Sequence, residues 1–262
     1  MRSAEYVASF YFLYLAAVCW LRPLPASRRL FITAVSLLTA AGSFAASRSP
    51  GVVREWAPLI YIFVGYYLTG RLFVGPSLRL EAWLMGWDHR LFGDPTTRFA
   101  GWPAWFIGYL DIVYMFCFLL LPAGLIALLA AGRADQANHY WTMVLAADLG
   151  AFAPLSVFQT RPPWMLEPKP ALAARSVHRM ASYVVENATI RVNTFPSGHV
   201  AVSFAVALAL IGTLPVLAGV MLVLAATIGV ACVVGRYHYA VDVVTGAMLA
   251  ALVWGATALT GT

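Results

Sequence analysis

Charge is scarce in this 262-residue chain: 11% of its residues are Asp, Glu, Lys or Arg, against about a quarter in soluble domains. The shortage excludes water as the solvent for most of the surface. Lysine is nearly missing, with Lys169 the single example, so arginine carries almost all of the positive charge behind a net +6. The cysteines are few as well. Cys19, Cys117 and Cys232 all lie inside apolar runs, which excludes a disulfide framework and zinc-ligand spacing and leaves them as packing residues. Heptads, low-complexity tracts and internal repeats are lacking too. What the chain has is apolar length: 61% hydrophobic residues and a mean hydropathy of +0.78. Its class is a polytopic membrane protein. A basic balance points to nucleic acid when the cations share one polar face. Here the arginines punctuate apolar spans, so the expected partners are membrane lipids with phosphate headgroups, and no nucleic acid.

A spanning helix needs about 20 mostly apolar residues. Eight segments approach that length, roughly 4–21, 30–46, 56–74, 105–131, 140–158, 197–213, 215–234 and 239–260. The first follows Arg2 as a signal peptide would, but Arg22-Pro23 comes next in place of a small-residue cleavage site, so it reads as a first membrane helix. Residues 75–104 carry Trp83, Trp87 and Trp102, with Trp105 just beyond, among Arg79, Arg90 and Arg98, the pattern of an amphipathic segment lying at the interface. Residues 159–195 form the longest polar stretch, with Arg161, Lys169, Arg175, His178, Arg179, Glu186 and Arg191. Connections of that length are usually functional or disordered.

Two short motifs carry the chemistry: Thr194-Phe195-Pro196-Ser197-Gly198-His199 and Gly235-Arg236-Tyr237-His238-Tyr239-Ala240-Val241-Asp242. Each sits where a polar loop becomes a long apolar helix. Alternating span direction places both, with Arg161 at the end of the fifth span, on one membrane face. Pro196 and Ser197 read as a first helical turn, with Thr194 or Ser197 near the cap. Exposed N–H groups there, with Gly198 allowing close approach, form an anion seat at which His199 points. An ordinary Pro-Ser-Gly helix start with a snorkelling histidine accounts for this motif equally well when it is taken alone.

His238 and Asp242 are four residues apart and share a helix face. The carboxylate can fix the imidazole tautomer and leave the other nitrogen as a nucleophile. A structural His–Asp hydrogen bond is the alternative, but ionisable residues inside membranes are costly and usually functional. Arg161, before Pro162-Pro163, and Arg236 are candidate phosphate grips, or else markers of the membrane boundary. Two histidines, an aspartate and arginines at helix ends make a phosphoryl-transfer site that needs no metal or cofactor.

These residues resemble the type 2 phosphatidic acid phosphatase superfamily, whose signature is Lys-x6-Arg-Pro, then Pro-Ser-Gly-His, then Ser-Arg-x5-His-x3-Asp. Pro-Ser-Gly-His is intact at 196–199, His-x3-Asp is intact at 238–242, and Arg161-Pro162 ends the first motif. Pro154 stands at the lysine position, and Ala231 and Cys232 stand at the Ser-Arg positions. In these departures, and in Trp102-Pro103 before a helix, the chain is similar to the branch that includes fungal inositol phosphorylceramide synthase and its bacterial relatives. The resemblance implies an all-α membrane bundle: a six-helix phosphatase core plus about two extra N-terminal helices, in a single domain over 1–262. Residues 1–55 would be peripheral helices and 56–262 the catalytic core. It implies that His238 attacks phosphorus, Asp242 orients it, and His199 protonates the leaving group and then activates water or an acceptor alcohol. Arg161, Arg236, Ser197 and Gly198 would hold the phosphate oxygens.

The substrate would be a phosphorylated lipid such as phosphatidic acid or a polyprenyl phosphate or diphosphate. In the transferase version a phospholipid donates its headgroup phosphate to a lipid alcohol. A lipid transporter or non-catalytic binding protein could use the same anion seat, but it would ordinarily show inverted repeats. Replacing His238 by asparagine separates the classes. Asp111 and Asp148, inside apolar spans, are equally suited to pairing with Arg71 and to lining a polar cavity. His89, His139 and His178 read as interfacial. Asn187-Ala188-Thr189 matches a glycosylation sequon, a pattern common by chance. The arginine- and alanine-rich composition is bacterial in character, which suggests an inner membrane. The resemblance implies a site on the outer face, whereas the arginine distribution by itself points inward.

Overall fold

The computed structural model describes residues 1–49, 51–167, 183, 187 and 189–260. Eleven α-helices are defined among them: α1 (Ser3–Val18), α2 (Ala26–Ala46), α3 (Gly51–Gly70), α4 (Leu78–Phe92), α5 (Pro95–Ala100), α6 (Ala104–Met115), α7 (Leu120–Ala130), α8 (Ala137–Phe152), α9 (Gly198–Leu210), α10 (Pro215–Val234) and α11 (Ala240–Thr260). No strand occurs among the described residues, only an isolated bridge between Thr160 and Asn193. The fold is an all-α membrane bundle. Among the described residues, four helical stretches are long and apolar enough to cross a bilayer: Ser3–Leu21, Ala26–Ala46, Pro215–Val234 and Ala240–Leu259. Lys169, Arg175, His178, Arg179 and Glu186, expected in the long polar connection, lie outside the described residues.

All eight expected segments carry helix, with differences that have local causes. The second begins at Ala26, earlier than apolar character alone suggested. Its polar start is accommodated because Arg29 donates to the Arg22 carbonyl and Arg28 to that of Phe73, leaving the stems on the helix. The 105–131 segment is bent by 47° between α6 and α7. Pro122 sits in the first turn of α7, where its ring excludes the carbonyl of residue 118, and the chain passes through a 3-10 turn at Cys117–Leu119. The 140–158 segment stops at Phe152 because Pro154 enters a 3-10 turn. With α6–α7 counted as one bent span, α3, α6–α7, α8, α9, α10 and α11 make six, and α1 and α2 are the two extra N-terminal helices.

Helix α8 is the centre of the bundle. Beyond the polar residues of its first turns and Asp148 it is apolar or small, and it is buried along nearly its whole length, as expected of a core helix. Small residues bring its neighbours close: Ala147 and Ala151 of α8, Ala201 and Ala205 of α9 and Ala250 of α11 form one packed cluster. Without a hydrophobic drive between helices in lipid, such close approach is what binds them. The outward faces of α2, α10 and α11 expose Leu38, Val216, Val223, Met248 and Leu252, a surface suited to acyl chains.

The same close packing sets the site. A Cβ on Gly246 of α11 would lie 2.7 Å from the Ser197 carbonyl oxygen, at the start of α9. That neighbour is backbone and cannot turn aside. Gly246→Ala is therefore expected to destabilise the fold by about 1–3 kcal/mol and to lower activity at the same time, checked by thermal unfolding in detergent beside turnover.

Candidate active site

The tight loop between α10 and α11 presents His238. Tyr237 and His238 both donate their N–H groups to the Cys232 carbonyl, at 2.9 and 3.1 Å. Arg236 adopts φ +60, a left-handed conformation that costs a non-glycine residue roughly 1–2 kcal/mol. Its side chain supplies the compensation. Nε and Nη2 bind Glu167 at 2.7 and 2.5 Å, and Nη1 binds Asp88 at 2.8 Å. The other Asp88 oxygen accepts from the Ala240 N–H at 2.9 Å, at the start of α11. Asp88 thus clamps both ends of the His238 loop.

His238 Nε2 lies 3.4 Å from His199 Nδ1. Its Nδ1 lies 3.5 Å from Asp242 Oδ2, an approach longer than an ordinary hydrogen bond. The same Asp242 oxygen accepts from Asn193 Nδ2 at 2.9 Å and from the Tyr239 N–H at 3.0 Å. Asn193 is fixed in turn by Thr160, through a backbone bond of 2.8 Å and a side-chain bond of 3.1 Å. Asn193 is the residue that sequence reasoning passed over, for it has no helical spacing to Asp242. His199 is held on its faces by aromatic rings, Tyr114 at 5.0 Å and Phe118 at 5.2 Å, and Tyr114 also stacks on Tyr237 at 4.0 Å.

Ser197 caps α9, its hydroxyl facing the Val200 N–H at 3.5 Å, while the Thr194 hydroxyl accepts from Gly198 N–H at 3.3 Å. The Ser197 N–H donates to the Asp242 carbonyl at 3.0 Å. The three N–H groups of Ser197, Gly198 and Val200 are thus partnered within the protein. A Cβ on Gly198 would meet the Phe152 ring at 2.6 Å, so the room this glycine leaves, expected to admit an anion, is taken by α8.

The arginines read as phosphate grips are both engaged by carboxylates. Arg236 is 3% exposed and fully occupied. Arg161 binds Glu81 through Nε and Nη2, at 3.1 and 2.9 Å, and keeps a third of its side chain exposed. Both acidic partners on α4 come from its inward face, which carries Glu81, Leu84 and Asp88, while Trp83 and Trp87 face outward. The interfacial helix is amphipathic, but its inner stripe is acidic. Of the remaining candidates, Asp111 accepts from the Tyr237 hydroxyl at 3.3 Å, Arg71 stacks over Phe31, and Asp148 is buried with neither oxygen hydrogen-bonded. His89 is exposed, its Nδ1 2.7 Å from the Gly93 carbonyl.

A family model for the PAP2 superfamily matches residues 82–256. The chain belongs to the PAP2 superfamily. Neither a curated protein nor a solved structure matches it. The PAP2 match begins inside α4 and contains both histidine motifs, and it leaves α1–α3 outside. Members of this superfamily are phosphatases, so the chain is an enzyme of phosphoryl-transfer chemistry on lipid-like substrates.

Burial pulls the His238 imidazole down from the ordinary 6.5 to about 3. A histidine lowered in this way stays a neutral base as pH falls through its usual range. In a 15N-histidine titration His238 is expected to remain neutral at pH 5, and a midpoint near the ordinary value would contradict the burial shown here.

Proposed function

We propose that the chain is a metal-independent phosphoryl-transfer enzyme that hydrolyses lipid phosphates of the phosphatidic acid or polyprenyl phosphate and diphosphate class through a phosphohistidine. The observation that carries the reading is the contact of two imidazoles, His238 Nε2 at 3.4 Å from His199 Nδ1, with Asp242 behind the first. His238 Nε2 attacks phosphorus and forms the N–P bond as the P–O bond to the leaving group breaks, the lipid alcohol of a monophosphate or the lipid monophosphate of a diphosphate. His199 gives its proton to that oxygen. In the second half His199 takes a proton from water, whose oxygen attacks the phosphohistidine and frees phosphate. Asp242 favours the tautomer with the proton on His238 Nδ1 and supports the charge that develops there. A phosphoryl group does not fit between rings this close, so the pair parts when substrate enters.

In this proposal the exposed edge of Arg161 receives the phosphate oxygens, Ser197 and Gly198 contribute by fixing the start of α9 beneath His199, and Arg236 contributes through the position of the His238 loop. The site faces the outside of a bacterial inner membrane. The test is phosphate release in excess EDTA across a lipid phosphate panel. Release is expected to survive chelation and to fall about 10²–10⁴-fold in His199→Ala. Release that stops on chelation, or that ignores this substitution, would contradict the reading.

One observation favours transfer of a phospholipid headgroup phosphate to a lipid alcohol as a second reading. Pro154, Ala231 and Cys232 replace the signature cations and serine, and Arg236 is neutralised by Glu167 and Asp88. A site with so few available cations suits the single charge of a phosphodiester better than a dianionic monoester. Labelled phospholipid donors with lipid alcohol acceptors distinguish the two.

A further inference from the structure

A cavity of about 180 Å³ lies against His199, and none of the residues of the Arg236 clamp lines it. Four residues of α3, Ile62, Phe63, Tyr66 and Tyr67, form one wall, and the bend between α6 and α7, with Met115 and Cys117, forms the other. The 47° break is what opens this space, because a continuous helix would carry Phe116–Leu119 along the bundle without the recess. Over the top, the Ile190 N–H donates to the Tyr66 hydroxyl at 3.1 Å, and Ile190 rests on Gly70, where a Cβ would find it at 2.7 Å. The inner end is the His199 ring. At the outer rim Phe63 and Tyr67 are 52% and 50% exposed, on the lipid-facing side of α3. The cavity is therefore an apolar, aromatic passage from the catalytic histidine to the surrounding membrane.

We propose that this cavity binds the first carbons of the alcohol whose oxygen His199 serves, and that it selects a chain unbranched at its second carbon. The inference rests on the reading of His199 as acid and base. The oxygen it protonates must lie beside its ring, so the carbon attached to that oxygen must continue into whatever space adjoins the ring. Here that space is mainly apolar, with Thr189 and the tyrosine hydroxyls its polar exceptions. A dry apolar cavity of about 150 Å³ accepts benzene, so this one takes roughly six carbons, after which the chain leaves at Phe63 and Tyr67 into lipid. A linear alkyl chain, or a prenyl chain whose first methyl branch comes at its third carbon, fits that description. Diacylglycerol, branched at its second carbon and carrying two ester carbonyls close to the oxygen, does not. By microscopic reversibility the same cavity serves a leaving alcohol in hydrolysis and an acceptor alcohol in transfer. The specificity-determining residues are Phe63 at the rim and Cys117 at the bend.

The test is a homologous series of n-alkyl phosphates, methyl to decyl, in one arm, and n-alkanols as acceptors for phosphoryl transfer in the other. With each methylene contributing a transfer energy equivalent to about fourfold, kcat/KM is expected to rise about fourfold per carbon to about six carbons and then level off. A slope in the first arm identifies the occupant as the leaving group, and a slope only in the second identifies it as the acceptor. Cys117→Phe, which adds a ring to the α6–α7 wall, is expected to end the rise at two or three fewer carbons, by rough volume. Phe63→Ala, at the half-exposed rim where folding is least at risk, is expected to raise the rate on 6-methylheptyl phosphate, branched where the chain meets the rim, relative to octyl phosphate at least about threefold. Flat series in both arms, with His238-dependent turnover of methyl phosphate intact, would overturn the cavity assignment and leave the proposed function standing. No His238-dependent turnover at any chain length would overturn the proposed function, and the cavity assignment with it.

Discussion

His238→Ala is expected to reduce kcat by roughly 10⁴-fold or more, the scale seen when a covalent nucleophile is removed. The size of the effect follows from the position of the residue. His238 is the buried imidazole with Asp242 on one nitrogen and His199 on the other, so no neighbouring group can take over the attack. Asp242→Asn should cost less than His238→Ala, since it leaves the nucleophile present but weakens control of its tautomer. Asn193→Ala should act in the same direction and more weakly, by loosening Asp242. If the enzyme merely used the histidines to bind phosphate, His238→Asn would raise KM and spare kcat. A kcat loss with KM nearly unchanged is what the nucleophile role requires, measured by steady-state kinetics in detergent.

Arg236→Ala should have the largest effect on stability, about 3–5 kcal/mol. The guanidinium is 4% exposed and answers two carboxylates, Asp88 and Glu167. Its removal leaves both of them buried and unpaired, and also releases a residue held at φ +60. The triple variant Arg236→Met, Asp88→Asn, Glu167→Gln should recover much of the stability, because the penalty belongs to the orphaned charges and not to the pair's net attraction. Activity should not return with it, since the loop that places His238 loses its clamp to α4. Thermal or denaturant unfolding of the single and triple variants in the same detergent checks the first point, and kcat checks the second.

Much of this arrangement was legible in the sequence because its strongest signals are local. The apolar spans, Pro-Ser-Gly-His and His-x3-Asp each lie within one helix or one helix start, so spacing alone places their residues together. The partners that organise the site are not local. Arg161 meets Glu81, Arg236 meets Asp88, and Asn193 meets Asp242 across 80, 148 and 49 residues, and no periodicity links such positions. This is why the arginines read as open phosphate grips when in the fold each already faces a carboxylate. The bend in 105–131 was hidden for another reason: Phe116-Cys117-Phe118 is as apolar as its surroundings, and its only sign is Pro122 four to six residues on. The cavity beside His199 depends on that bend, and so was hidden with it.

The account stands on phosphorus becoming bonded to His238. The most direct measurement is rapid acid-free quenching of the enzyme with 32P-labelled substrate, followed by mapping of the label. The account predicts a label that is stable to alkali, labile to acid, located on His238 and missing from His238→Ala, with its decay slowed in His199→Ala. A label on another residue, or full turnover with no labelled enzyme under conditions where formation outruns hydrolysis, would contradict it.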